Sequence, residues 1–198
     1  MTQRIDIMNI LLRSKQSVFT FKEVNLLAGG EVSPALLRRR VSYYVQKDQL
    51  HPLRRGIYAK DKKYDKFELA NRIYTPSYIS FETVLGRAGV TFQSYGQIFI
   101  ASYLTRELKI EDQIYSYRKI KDDVLARTQP PTGIEHKGTY SIATPERAFL
   151  DVVYLSKDYH FDNLSALDWE KVFELLPIFG NAEMEKRVKA YYEQFKNS

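Results

Sequence analysis

Residues 33–58 constrain this chain more than any other stretch. Ser33-Pro34 is a strong helix start: the hydroxyl can accept an otherwise orphaned backbone N–H, and proline at the first helical position has none to leave unpaired. At about 100° per residue, Leu37, Val41 and Tyr44 then fall on one side of the helix, with Val45 at its margin. Ala35, Arg39, Ser42, Tyr43 and Gln46 fall on the other, with Arg38 and Arg40 as shoulders. Such a helix buries a stripe and turns arginine, hydroxyl and amide groups outward, a complement suited to a DNA major groove. Leu53-Arg54-Arg55-Gly56-Ile57-Tyr58 follows as a short basic hairpin, with Gly56 at or near its bend.

The segments before it complete the pattern. Ile5, Met8, Leu11 and Leu12 recur at helical spacing and predict a first helix ending near Lys15. Val18-Phe19-Thr20 reads as a short extended piece. Thr20 caps a second helix, Phe21 to Ala28, and Glu23 stands where a capping box needs it. Gly29-Gly30 makes the turn into the Ser33 helix. Three helices, a glycine turn and a two-stranded wing predict a winged helix-turn-helix over residues 1–62.

Charge follows the same division. Residues 1–62 hold 12 Lys+Arg against 5 Asp+Glu, whereas the remainder holds 18 against 19. The whole formal charge of +6 therefore comes from the first third, which points to a polyanionic partner for that part alone.

At 198 residues, 44% hydrophobic and 14% aromatic, the chain can bury one large core or two small ones. It has no cysteine, and His51, His136 and His160 are scattered, so no zinc motif and no cofactor are expected. The N-terminus lacks the apolar core of a signal peptide, and no apolar run approaches membrane-spanning length; the expected setting is the cytoplasm.

After the polar stretch 61–66, residues 63–198 read as a second, α+β domain with a small antiparallel sheet and several helices. Phe67, Ala70 and Ile73 begin a helix that stops before Pro76, and Ser80 is expected to cap another over Phe81–Ala88, closed by Gly89. Ile98–Leu104 and Ile114–Ile120 have strand character, and Ile134–Ile142 reads as a hairpin turning at Lys137-Gly138. Thr144-Pro145 opens an apolar helix to Leu155. Asp168 and Asn181 start two more helices.

Within the first domain, Arg39 and Gln46 are the candidates for bidentate base-edge contacts, and Ser42 and Tyr43 can reach bases or backbone. Arg38, Arg40, Arg54 and Arg55 suit phosphates, which fix register without reading sequence, and Ser33 at the helix start completes the set of DNA-binding candidates. Two other function classes stay open. A winged helix can serve purely as a protein-interaction module, its basic face meeting an acidic partner. Glu135-x-Lys137, with Asp122 and Asp123 upstream, faintly echoes the carboxylate–lysine array of metal-dependent nucleases, although so short a pattern arises easily by chance. In the second domain, Glu146, Arg147 and Asp151 admit two readings, a polar face for a partner or a dipole-matched helix start.

With these pieces the chain resembles the AbiEi antitoxin family of type IV abortive-infection toxin–antitoxin systems. The likeness is carried by Leu53-Arg54-Arg55-Gly56-Ile57-Tyr58, by Pro76-Ser77-Tyr78-Ile79-Ser80-Phe81-Glu82-Thr83-Val84-Leu85 with Ala88-Gly89-Val90, and by Thr144-Pro145-Glu146-Arg147-Ala148-Phe149-Leu150-Asp151. Their order gives the specificity. The resemblance implies a non-enzymatic DNA-binding autorepressor and antitoxin, encoded beside a nucleotidyltransferase toxin, whose N-terminal domain binds operator repeats upstream of its own gene. It leaves open whether the toxin is bound directly, and two half-sites can be filled by a dimer or by two monomers in turn.

Overall fold

The computed structural model describes residues 6–29, 32–127 and 129–197. Ile5, expected on the first helix, and Gly30, expected in the turn, lie outside the described residues. The chain divides into two compact units, Met1–Ile73 and Tyr74–Ser198.

The first unit runs α1 (Ile7–Arg13), β1 (Val18–Thr20), α2 (Phe21–Leu27), α3 (Pro34–Gln46), β2 (His51–Arg54), β3 (Ile57–Ala59) and α4 (Lys66–Ile73). Local chemistry starts each of the first three helices. The Asp6 carboxylate accepts from Asn9 N–H, Thr20 and Glu23 form the full capping box, and Ser33 Oγ accepts from Leu36 N–H ahead of Pro34. β3 is the central strand of an antiparallel sheet ordered β1-β3-β2, so the short extended piece before α2 is paired with the hairpin. Ile7, Leu11, Phe19, Val24, Leu37, Val41 and Leu50 fill the core between helices and sheet.

The polar stretch 61–66 does not end this unit. α4 packs on β1, and its buried Glu68 accepts from the backbone N–H and hydroxyl of Ser17 at 2.8 and 2.7 Å. Arg72 joins Glu68 (3.1 Å) to Glu23, the capping-box residue of α2. That pairing places the division after Ile73, eleven residues beyond the expected boundary at Lys62.

The second unit is α+β. Its sheet has six strands rather than a few: β4 (Ser77–Ile79), β5 (Gln97–Ser102), β6 (Arg106–Ile110), β7 (Gln113–Lys119), β8 (Ile134–Lys137) and β9 (Tyr140–Ala143), ordered β6-β7-β5-β4-β9-β8. It is mixed. β4–β5, β6–β7 and β8–β9 pair antiparallel, whereas β5–β7 and β4–β9 pair in parallel. The helices are α5 (Glu82–Arg87), α6 (Asp122–Leu125), α7 (Pro145–Leu155), α8 (Trp169–Leu175) and α9 (Ala182–Lys196). α7 is the hub, in contact with α5, α8, α9 and β9. Phe149 on α7 meets Phe161, Trp169 and Tyr191 at ring separations of 4.8–5.8 Å.

Ser80 does not cap α5. Its hydroxyl donates to Asp151 on α7 at 2.7 Å, and the cap position falls to Phe81 at φ 54° and ψ −140°, with no side-chain cap bond. A buried aromatic residue in that region of backbone space is strained. Its neighbours hold it there: Ser80 is tied to Asp151, and Glu82 pairs with Arg118, whose guanidinium lies 4.9 Å from the Phe81 ring centre. Among the described residues, no helix is long and apolar enough to cross a membrane.

Candidate nucleic-acid interface

The inner stripe of α3 is anchored through buried Leu37 and Val41 and half-buried Tyr44 and Val45. Its outer side carries Ser33, Arg38, Arg39, Ser42, Tyr43 and Gln46, all exposed, and Arg40 is half-buried at a shoulder. Ser33 spends its hydroxyl on the helix cap. Arg39, Ser42 and Gln46 repeat at three- and four-residue spacing and so form one row.

Arg54 ends β2, and Arg55 with Gly56 (φ 76°) makes the bend to β3; both arginines are exposed. The left-handed bend suits glycine because it has no Cβ to clash. The connection between bend and helix is Phe21, which sequence reasoning missed. Its backbone N–H donates to Gly56 O at 2.8 Å, and the Arg38 guanidinium lies 5.1 Å from its ring centre. Arg38 on α3 and the arginines of the bend are thereby held near one aromatic platform at the start of α2. An aromatic residue directly after the Thr20 cap is the available sequence signal, but nothing local says that a hairpin 35 residues later will dock on it.

Between residues 1 and 73 the chain holds 15 Lys+Arg and 7 Asp+Glu, and between 74 and 198 it holds 15 and 17. Among the acids of the first unit, Glu23 and Glu68 are committed to Arg72, and neither belongs to the α3 row.

The second unit treats Glu146, Arg147 and Asp151 differently from the expectation of a partner-facing surface. Arg147 and Asp151 are 0% exposed, and Glu146 is buried. Arg147 donates to Asp151 Oδ1 (3.0 Å), Thr132 O (2.8 Å), Tyr78 Oη (2.6 Å) and Val124 O (3.0 Å). One guanidinium thus ties α7 to β4, to α6 and to the loop before β8. Asp151 also accepts from Ser80 Oγ and from Tyr78 Oη (3.2 Å). Burial pushes the Asp151 carboxyl above its usual range, against the opposing pull of Arg147 and of the two hydroxyls. The Tyr78 hydroxyl is raised as well, first by burial and then by the Asp151 charge. Glu146 accepts from the Asp168 N–H at the start of α8. These three residues therefore hold the unit together and do not form an open face. The signal lies in the sequence: an i,i+4 Arg–Asp pair within a helix apolar on every side has nowhere else to go.

The residues of the carboxylate–lysine echo fall on two separate elements. Glu135 and Lys137 pair with each other at 3.3 Å on the exposed edge strand β8, while Asp122 and Asp123 start α6. His136 hydrogen-bonds with Ser141 across β8 and β9 (2.9 Å). Among the described residues, no three His, Asp or Glu side chains converge as a metal site.

No family model matches the chain, and a search of curated proteins finds no significant match.

Proposed function

We propose that the chain is a DNA-binding transcriptional repressor that serves as the antitoxin of a type IV toxin–antitoxin system, acting by occupancy and without catalysis. The observation that carries this reading is the exposed Arg39–Ser42–Gln46 row on α3, a helix whose opposite side is locked in the core. In the proposed complex, α3 enters the major groove of a winged helix-turn-helix site. Arg39 and Gln46 make bidentate contacts to base edges, and Ser42 and Tyr43 contact bases or backbone. Arg38, Arg40, Arg54 and Arg55 hold phosphates on the flanks. The Phe21 platform keeps Arg38 and the bend in register, which reduces the ordering cost on binding. The antitoxin part rests on the resemblance to the AbiEi family and concerns the same chain's effect on a nucleotidyltransferase toxin encoded beside it.

A gel shift with duplex taken from upstream of the chain's own gene tests the repressor reading. A discrete complex that excess random duplex does not displace is expected; no retardation at moderate salt refutes it. Co-expression with the neighbouring nucleotidyltransferase gene tests the antitoxin reading separately. Restored growth is expected, and unrelieved toxicity removes that part alone.

A further inference from the structure

We infer that Leu36 and Tyr43 contact thymine methyl groups on either side of the base read by Arg39, so that the cognate duplex carries thymines about three base steps apart. This rests on the DNA-binding reading above and adds to it the base chemistry at two further positions. Leu36 is 43% exposed and Tyr43 is 54% exposed, and both stand outside the core of their unit. They are seven residues apart, hence on one side of α3 and separated by about 10 Å along its axis. Arg39 follows Leu36 by three residues and precedes Tyr43 by four, so its guanidinium springs from the helix between them. The Tyr43 ring is bracketed by the Tyr44 ring at 6.0 Å and the Lys47 ammonium at 5.8 Å from its centre.

Two exposed apolar side chains gain from an apolar partner, and the charge around them selects which. Arg39, Arg40 and Lys47 share this side of α3, on a unit with 15 Lys+Arg against 7 Asp+Glu. A second copy approaching through the same side would bring like charges together, whereas a polyanion neutralises them. In the major groove the only apolar group on a base edge is the thymine C5-methyl. Successive bases rise by about 3.4 Å, so the spacing of Leu36 and Tyr43 corresponds to about three steps.

The test uses the full chain and a duplex enriched by it from a random-sequence library. Each thymine in turn is replaced by deoxyuridine, which removes the methyl and keeps every hydrogen-bonding group. Affinity is read by fluorescence anisotropy. Two positions about three steps apart should each lose about fourfold, the worth of one buried methyl. Leu36→Ala should abolish the loss at one of them and Tyr43→Ala at the other. Because the perturbation is in the DNA, misfolding of a variant cannot imitate the first result. Enrichment of a defined sequence whose thymines all tolerate deoxyuridine within twofold overturns the inference and leaves the repressor reading standing. So does a loss that stays the same in both variants. Failure to enrich any sequence removes both.

Discussion

Replacing Arg147 by methionine should cost the second unit most of its stability. Methionine fills much of the volume but donates nothing. Thr132 O and Val124 O, which face the guanidinium at 2.8 and 3.0 Å, would then lose its donors. Each buried polar group left unpaired costs about 1–3 kcal/mol. Asp151, 0% exposed, would lose its counter-charge, and removing one partner of a buried pair costs about 3–5 kcal/mol. Uptake of a proton by Asp151 relieves part of this, so the expected loss is at least about 4 kcal/mol, comparable with the whole stability of many domains. The single tryptophan, Trp169, lies in this unit, so its fluorescence during urea denaturation reports the second unit selectively. Pairing the change with Asp151→Leu should recover part of the loss, because no buried carboxylate remains. A shift below about 1 kcal/mol for Arg147→Met would refute the keystone role of the guanidinium.

Three further outcomes follow from the same geometry. Arg39→Ala should cost roughly 1–3 kcal/mol on the cognate duplex and relax preference at one base pair, seen by competing single-position variants of the site; equal losses on cognate and random duplex would remove its base-reading role. Arg54→Ala should instead weaken all duplexes alike and lower the salt slope by about one, which a titration series in increasing salt measures. Because burial holds the native Asp151 carboxyl above its unfolded value, the folded state binds that proton more tightly than the unfolded chain does. This contribution is complete below the unfolded value near about 4 and fades as pH rises through the native one. The stability of wild type relative to Asp151→Asn should therefore fall as pH rises over that interval, and a rise would contradict the assignment.

The first unit was legible because its signals are local. Thr20 with Glu23, Ser33 with Pro34 and Gly56 at the bend each act on the backbone within four residues, and each appears in the structure where the sequence places it. Thr144-Pro145 opens α7 for the same reason. Non-local pairings were not legible. β1 joins β3 some forty residues later, and the parallel pairs β5–β7 and β4–β9 leave no mark in either partner alone. β4 is only three residues long, and between Pro76 and Ser80 nothing local marks it as a strand. The α4 segment followed a charged stretch that resembles a linker; the pull of Glu68 on Ser17, 51 residues away, decided its place. At the candidate interface, the outward residues of α3 followed from helical periodicity, but Phe21 required knowing that the hairpin docks at the start of α2. Glu146, Arg147 and Asp151 stand out as charged groups, but the apolar residues between them are the better guide to their burial.

The central claim is that the basic first unit meets duplex DNA through α3 and the bend between β2 and β3. Binding of the full chain to duplex from upstream of its own gene, titrated across a range of salt concentrations, tests it most directly. If about five or six phosphates are neutralised, log affinity should fall against log salt with a slope near −5, and the slope should flatten when Arg38, Arg54 and Arg55 are replaced together by alanine. An affinity that does not change with salt, or a slope unaffected by that triple substitution, would contradict the account.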